Sequence, residues 1–177
     1  KENYRSIVII DRPPNLRGDY VSMNKIINYD MSKLEGEYFL QTHSTNPLLK
    51  ADTIEKAIKK YYSILKKGYD SLFSVTEHKV RFYDKDSSPI NHNPHKLIRT
   101  QDLSALYEEN SNFYIFSRDS FKKNNNRIGI KPYLYKMNKI EAIDIDNKED
   151  FKLAEIIFKF RILVQILNHI SHTTQYL

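Results

Sequence analysis

Asp144-Ile145-Asp146 places two carboxylates two residues apart. In a β-strand, side chains at i and i+2 project to one face. Two hard oxygen donors then meet at a strand end, a set that suits Mg²⁺, which keeps water and takes further ligands from phosphates. The same acids also read as solvated residues capping the helix that follows. A second group, Gln41-Thr42-His43-Ser44-Thr45-Asn46-Pro47-Leu48-Leu49, ends a strand inside a βα unit. Amides and hydroxyls at the carboxyl end of a strand can hydrogen-bond a base or a sugar, although turn chemistry alone accounts for Asn46-Pro47. A third group, Tyr107 through Tyr114, sets Asn110 just before a strand, where its amide can read a hydroxyl edge or simply close a loop.

Other constellations carry less. His92/His95 and His169/His172 have metal-ligand spacing, but neither pair has a third soft ligand nearby and the chain has no cysteine. They read as surface or interface histidines rather than a zinc site. The same lack of cysteine removes disulfides and thiol nucleophiles. No Ser-His-Asp or nucleophile-elbow pattern is present. Tyr61-Tyr62 and Tyr133/Tyr135 have the chemistry to stack bases, yet they sit on periodic elements and read as core or sheet residues.

These groups need a scaffold. Ile7 to Ile10 is a β-branched run stopped by Pro13-Pro14 and reads as a buried strand. Asp19 is placed to cap a helix over Tyr20 to Met31, with Met23, Ile26 and Ile27 inward. Strands follow at Glu37–Thr42 and Ser71–Thr76, separated by a helix over Ala51–Lys67. That helix repeats Ile54, Ala57, Ile58, Tyr61, Tyr62 and Leu65, with Gly68 at its stop and an Asp52/Glu55 capping box at its start. Alternation of strand and helix implies a largely parallel α/β sheet. Val80–Tyr83 alternates like an exposed strand, and Asp84–Thr100 is a polar excursion from the sheet. Further strands are expected at Asn112–Ser117, Tyr133–Met137 and Glu141–Asp146, with a polar turn at Lys122–Asn126. A last helix over Lys148–Ile170 carries Leu153, Ile156, Phe160, Leu163, Leu167 and Ile170 on one face. That face is expected to contact more than one layer or a second subunit.

At 177 residues, one domain (1–177) is expected. The net charge of +6 permits an anionic partner, but lysines scattered in pairs read as a solvated surface. Nucleic acid is therefore not expected as a partner. The most apolar stretch, Phe151–Ile170, is broken by Glu155, Lys159 and Arg161, so no membrane span is expected. Lys1 to Ser6 shows no apolar signal core, and a cytoplasmic location is expected. Only four glycines (18, 36, 68 and 129) occur, which excludes G-x-G-x-x-G and Walker A loops within the chain.

Four stretches, in this order and spacing, resemble the acylneuraminate cytidylyltransferase family, the CMP-sialic acid synthetases. They are Arg12-Pro13 through Gly18-Asp19 to Ser22; Gln41 through Asn46-Pro47-Leu48; Thr100-Gln101-Asp102-Leu103 through Glu109-Asn110 to Tyr114; and Asp144-Ile145-Asp146 through Asp150-Phe151 to Ala154-Glu155. The resemblance runs from about Ile7 to Glu155. It implies a Rossmann-like nucleotide-diphospho-sugar transferase fold and Mg²⁺-dependent transfer of CMP from CTP to the anomeric hydroxyl of an acidic nine-carbon sugar. By the same resemblance, Asp144 and Asp146 hold the metal and are catalytic. Gln41, Asn46, Asn110, Tyr114, Ile128 and Gly129 line the sugar site, and Ser22 lies near the nucleotide. Arg99, or Thr100 one residue on, meets a carboxylate or phosphate.

The resemblance also implies that residues of about 78–110 form an inserted dimerisation segment and that the protein is a homodimer. The family opens with a strand and a Gly/Arg/Lys-rich loop that grips CTP. This chain shows no such loop and aligns from the family's third strand onward, so these 177 residues alone are expected to turn over CTP weakly or not at all. Alternatives are activation of legionaminic, pseudaminic or 3-deoxy-octulosonic acid, a non-catalytic sugar-nucleotide scaffold, and, ranked last, a basic nucleic-acid binder.

Overall fold

The computed structural model describes residues 7–173, and side chains as far as Leu167. The elements are α1 (Met23–Lys33), β1 (Tyr38–Thr42), α2 (Ala51–Leu65), β2 (Ser71–His78), β3 (Leu106–Ser117), α3 (Arg118–Asn124), β4 (Pro132–Lys136) and α4 (Lys148–Thr173), with 3-10 turns at Pro14–Leu16 and Thr100–Asp102. The strands form one sheet in the order β1-β3-β2-β4. β2 pairs parallel with β4, whereas β3 runs antiparallel to both β1 and β2. The α/β class is as expected, and the sheet is mixed. Strands β1, β2 and β4 share one direction, and β3 is inserted against them, so that the amino end of β3 lies beside the carboxyl ends of the other three.

Alternation along β3 divides the core. Phe113 and Ile115 face α2, where Ala57, Tyr61 and Ile64 close over them with Leu72. Tyr114 and Phe116 face the other way, against Ile27 and Met31 of α1 and Phe121 of α3. Burial of each such large apolar side chain contributes about 1.5–3 kcal/mol. Helix α2 stops as its sequence demands: Gly68 takes φ +78°, and the amides of Gly68 and Tyr69 turn back to Leu65 and Ile64 carbonyls. The carbonyls at the end of α1 are gathered by Arg118, whose guanidinium donates to Met31, Leu34 and Gly36 at 2.8–3.0 Å.

Several expected elements are different. Ile7 to Ile10 pairs with no strand among the described residues, and Ile7, Val8 and Ile9 lie exposed. Residues 80–83 contribute only a single bridge, Tyr83 to Pro89. Helix α1 begins at Met23, after Ser22 rather than Asp19. The Asp52/Glu55 capping box does not form. Asp52 pairs with Lys56 at 2.7 Å, and the start of α2 is held by the buried Glu141, which accepts from Lys50 N at 3.4 Å and Thr53 Oγ1 at 2.6 Å. The turn expected at 122–126 is the end of α3, closed by Asn125 in the left-handed region. Tyr62 is exposed, while Tyr61 is fully buried.

Helix α4 buries Ala154, and Arg161 donates to the Leu48 carbonyl at 2.9 Å. Its apolar positions Leu153, Ile156, Phe160, Leu163 and Leu167 are exposed in the single chain, so they are not covered by further layers of this fold. The side chains of His169, Ile170 and His172 lie outside the described residues.

Candidate active site

The carboxyl ends of β1, β2 and β4 and the amino half of β3 meet at one end of the sheet, where ligands bind in open α/β folds. A cleft of about 570 Å³ opens there, lined by Thr76 and His78 of β2, Glu108 to Ser111 of β3, Ala142 to Asp144 and Asp146 after β4, and Asp150 of α4.

Asp144 and Asp146 both line this cleft, but not from a strand. Residues 138–147 form turns, because Asn138 accepts from the amides of Ile140, Glu141 and Ala142. The loop is fastened across the sheet end: Ile145 N donates to Thr45 O at 3.0 Å, and Asn46 Nδ2 reaches Ile143 O at 3.5 Å. Asn46 is buried beneath the loop, its Oδ1 without a hydrogen-bond partner, and it lines neither this cleft nor the second one described below.

Capping of α4 falls to other residues. Asn147 Oδ1 accepts from Glu149 N and Asp150 N, and Asp150 Oδ2 accepts from Asp146 N and Asn147 N. This reciprocal cap leaves the carboxylates of Asp144 and Asp146 out of the helix start. Asp144 Oδ1 is buried and has no hydrogen-bond partner. A buried acceptor without a donor is costly, and a cation relieves that cost. Among the described residues no three His, Cys, Asp or Glu side chains group as a metal site. Asp144 and Asp146 present two carboxylates to the cleft, hard oxygen donors whose chemistry would suit Mg²⁺ with water and phosphate oxygens as its further ligands.

Asn110 reaches the cleft through a β-bulge. The pairing of β2 with β3 moves from Phe73–Tyr114 to Val75–Glu109, so Asn110 to Phe113 lie opposite Ser74 alone. Ser74 Oγ accepts from Phe113 N at 3.0 Å, and Ser111 takes a φ of 54°. Bulges of this kind re-aim side chains beside active sites. Asn110 turns inward, nearly buried, and donates to Thr76 Oγ1 at 3.1 Å. Asn112, fully buried, donates to the carbonyls of Asn110 and Ala142 and so ties the bulge to the loop carrying Asp144. The expected strand start at Asn112 falls six residues late, because the polar first half of β3 conceals a strand.

Behind the cleft runs a charged network. The Tyr114 hydroxyl donates to Glu109 and is shared with Ser111. Burial and the Glu109 carboxylate push the phenol up to about 12. Arg127 lies over the Tyr114 ring at 3.6 Å, donates to Gln41 Oε1 at 2.9 Å and stands 3.8 Å from Glu109. Gln41 in turn meets His43 at 3.0 Å. Burial first, and then the Arg127 charge, hold the His43 imidazole below its ordinary value, with Asp144 opposing. Gln41 and His43 open onto a second cleft of about 260 Å³ that also holds Arg12 and Asp30. Burial raises the Asp30 carboxyl, with Arg12 opposing.

Asn110, Asp144 and Asp146 therefore share one cleft, whereas Gln41 lines the second cleft and is linked to the first by Arg127, which stands near Glu109. Tyr114 is fully buried and touches the cleft through Glu109 and Ser111. Ile128 packs against the cluster that contains Tyr114, and Gly129 N donates to Ser71 Oγ at 2.8 Å, with the Asp70 carboxylate filling the space a Cβ would take. Ser22 is an exposed residue ahead of α1. Arg99 is exposed, paired with Asp102 at 2.7 Å, and lines neither cleft. His92 meets the Tyr83 hydroxyl at 3.0 Å. Arg127 and His43 were not assigned roles from sequence. The available signal was a lone cation directly before Ile128-Gly129, and a histidine two residues past Gln41.

The fold is an α/β domain, a mixed sheet with helices on both faces and an acidic cleft at the strand ends. The chain belongs to the cytidylyltransferase family, whose model matches residues 2–169. It is 30% identical over 141 residues to N-acylneuraminate cytidylyltransferase A of Danio rerio, covering 76% of this chain and 32% of that protein. It is 26% identical over 151 residues to N-acylneuraminate cytidylyltransferase of Streptococcus agalactiae, covering 83% and 37%. A shorter match, 33% over 61 residues, covers 34% of this chain and 26% of CMP-N,N'-diacetyllegionaminic acid synthase of Campylobacter jejuni. The chain thus spans about a third of the length of the first two relatives. The same fold occurs in the crystal structure of 4-diphosphocytidyl-2C-methyl-D-erythritol synthase from Anaerococcus prevotii, with a TM-score of 0.54 and 12% identity, over 78% of this chain and 67% of that one. Among the described residues no helix is long and apolar enough to cross a membrane.

Proposed function

We propose that this chain is the sugar- and metal-binding part of a cytidylyltransferase that joins CMP from CTP to an acidic nine-carbon sugar. The anomeric hydroxyl oxygen bonds to the α-phosphorus, the bond to pyrophosphate breaks, and the hydroxyl proton leaves. The observation that carries this reading is the pair Asp144 and Asp146 on one cleft, with Asp144 Oδ1 buried and unpartnered.

Among the described residues, Glu108, Glu109, Asp144, Asp146 and Asp150 share that cleft with Lys139 and His78 as its positive or titratable nitrogen groups. Carboxylates in such excess repel a triphosphate. Asp144 and Asp146 would hold Mg²⁺, which when bound would neutralise phosphate charge. Asn110, fixed by Thr76, offers amide groups to sugar hydroxyls. Glu109, held by Tyr114 and near Arg127, keeps a set orientation at the cleft wall. With so few cations on the cleft, the 177-residue chain by itself is expected to release pyrophosphate slowly or not at all. The segment of about 78–110 exposes the apolar side chains Tyr83, Ile90 and Leu97, and a homodimer through this segment completes the proposal.

The test is formation of CMP-sugar by the full-length protein from CTP, Mg²⁺ and a panel of N-acetylneuraminic, legionaminic, pseudaminic and 3-deoxy-octulosonic acids. A nine-carbon product that disappears in Asp146→Asn is expected. No product with any sugar, or undiminished turnover in that variant, overturns the proposal.

A further inference from the structure

The hydrogen-bond roles around Gln41 leave one choice. A guanidinium has donors and no acceptor, so the Gln41 group 2.9 Å from Arg127 Nη1 is its carbonyl oxygen. The Gln41 amide nitrogen therefore faces His43 Nε2 at 3.0 Å. That nitrogen carries only hydrogens to give, so Nε2 must accept. A neutral imidazole that accepts at Nε2 carries its proton on Nδ1. Among the described residues His43 Nδ1 has no hydrogen-bond partner, and the ring lines the second cleft, where Arg12 supplies a cation.

We propose that Arg127 and Gln41 form a relay that fixes His43 as the Nδ1–H tautomer, and that His43 donates this proton in a hydrogen bond to an anionic oxygen bound in the second cleft. The ligand class is a carboxylate or phosphate, which the acidic sugar or the nucleotide provides. The donor role rests on the proposed function, whereas the tautomer does not. Arg127 and Gln41 are positioning residues for His43. Arg127 owes its own placement to Tyr114 and Glu109, so the orientation of the second cleft's donor is coupled to the wall of the first.

The tautomer is read from long-range ¹H–¹⁵N spectra of the ligand-free protein at neutral pH. Protonated Nδ1 and unprotonated Nε2 are expected; protonated Nε2 overturns the relay. In Gln41→Glu the carboxylate only accepts, so the His43 proton is expected to move to Nε2. A proton that stays on Nδ1 in this variant also overturns the relay. Arg127→Met, which frees the Gln41 amide to turn, is expected to give mixed tautomers, and Arg127→Lys to restore the wild-type pattern.

The donor role is read by titrating N-acetylneuraminic acid and CTP separately. One of them is expected to shift the Nδ1–H resonance, which identifies the source of the anionic oxygen. His43→Gln is expected to weaken that ligand about tenfold or more, whereas His43→Asn, whose amide nitrogen overlies Nδ1, retains most of the affinity. Binding with Nδ1–H unmoved overturns the donor role while leaving the functional proposal intact. Failure of both ligands to bind overturns the functional reading and the donor role together, and the tautomer result stands by itself.

Discussion

Replacing Asp144 by Asn separates folding from metal binding, because the two requirements oppose each other at this residue. In the ligand-free protein Asp144 Oδ1 is buried without a partner and its cleft carries four further carboxylates. An unmade buried hydrogen bond costs about 1–3 kcal/mol, more for a charged group. Removing the charge is expected to stabilise the metal-free protein by about 1 kcal/mol, which raises the melting temperature by roughly 2–4 °C for a chain of this size. Mg²⁺ at about a hundred times its dissociation constant stabilises the wild type by about 2.7 kcal/mol, a shift of several degrees that Asp144→Asn should lose. Asp146 is exposed, so Asp146→Asn should leave the metal-free melting temperature nearly unchanged and abolish the same Mg²⁺ shift. Differential scanning calorimetry with Mg²⁺ and with EDTA reads both effects. An Asp144→Asn protein that is less stable without metal by more than about 1 kcal/mol, or that retains the full Mg²⁺ shift, refutes the assignment.

Arg118→Ala removes three hydrogen bonds to the end of α1 and should cost about 2–3 kcal/mol in urea denaturation. Glu141→Ala should cost about 2 kcal/mol by freeing the start of α2, with Glu141→Gln intermediate in the same experiment. Gly129→Ala drives a Cβ into the Asp70 carboxylate, which accepts from the amides of Ile130 and Lys131. Its loss of about 2 kcal/mol or more should vanish on an Asp70→Ala background, so a denaturation double-mutant cycle that adds without coupling contradicts the contact. His43, with its imidazole held below the ordinary 6.5, binds fewer protons folded than unfolded. Its contribution to stability is therefore full above pH 6.5 and is lost as pH falls through the folded value. Arg127→Met should raise the His43 midpoint in an NMR titration, and Asp144→Asn should lower it.

The helices were legible because their hydrogen bonds are local. Ala51 to Leu65 carries its own periodicity and its own stop at Gly68, and no distant segment is needed to specify either. Strands depend on what lies beside them. Ile7 to Ile10 has the composition of a strand, yet its backbone finds no neighbour among the described residues. The amino half of β3 reads as a polar loop and is a strand, since β2 pairs with Val75 through His78 against it. From spacing alone Asp144 and Asp146 read either as a metal pair or as caps of the next helix, and the strand expected to carry them is a loop. They share a cleft because Ile145 is tied to Thr45 and because Asn147 and Asp150 take over the helix cap, and both facts depend on partners outside the triplet.

The site also lies where the sequence breaks the rule that interiors are apolar. Ser74, Thr76, Asn110 and Asn112 are all buried at the β2–β3 bulge, a cluster that a packed core alone would not select. Asn110 bonds Thr76, Ser74 bonds the backbone of Phe113, and Asn112 bonds the carbonyls of Asn110 and Ala142, which ties the bulge to the loop that carries Asp144. An Asn112→Leu substitution fills a similar volume but severs the bonds to Asn110 and Ala142. If the bulge positions the metal ligands, this variant retains a cooperative melt and loses the Mg²⁺-induced shift. If it is only packing, stability changes and the Mg²⁺ response stays as in the wild type.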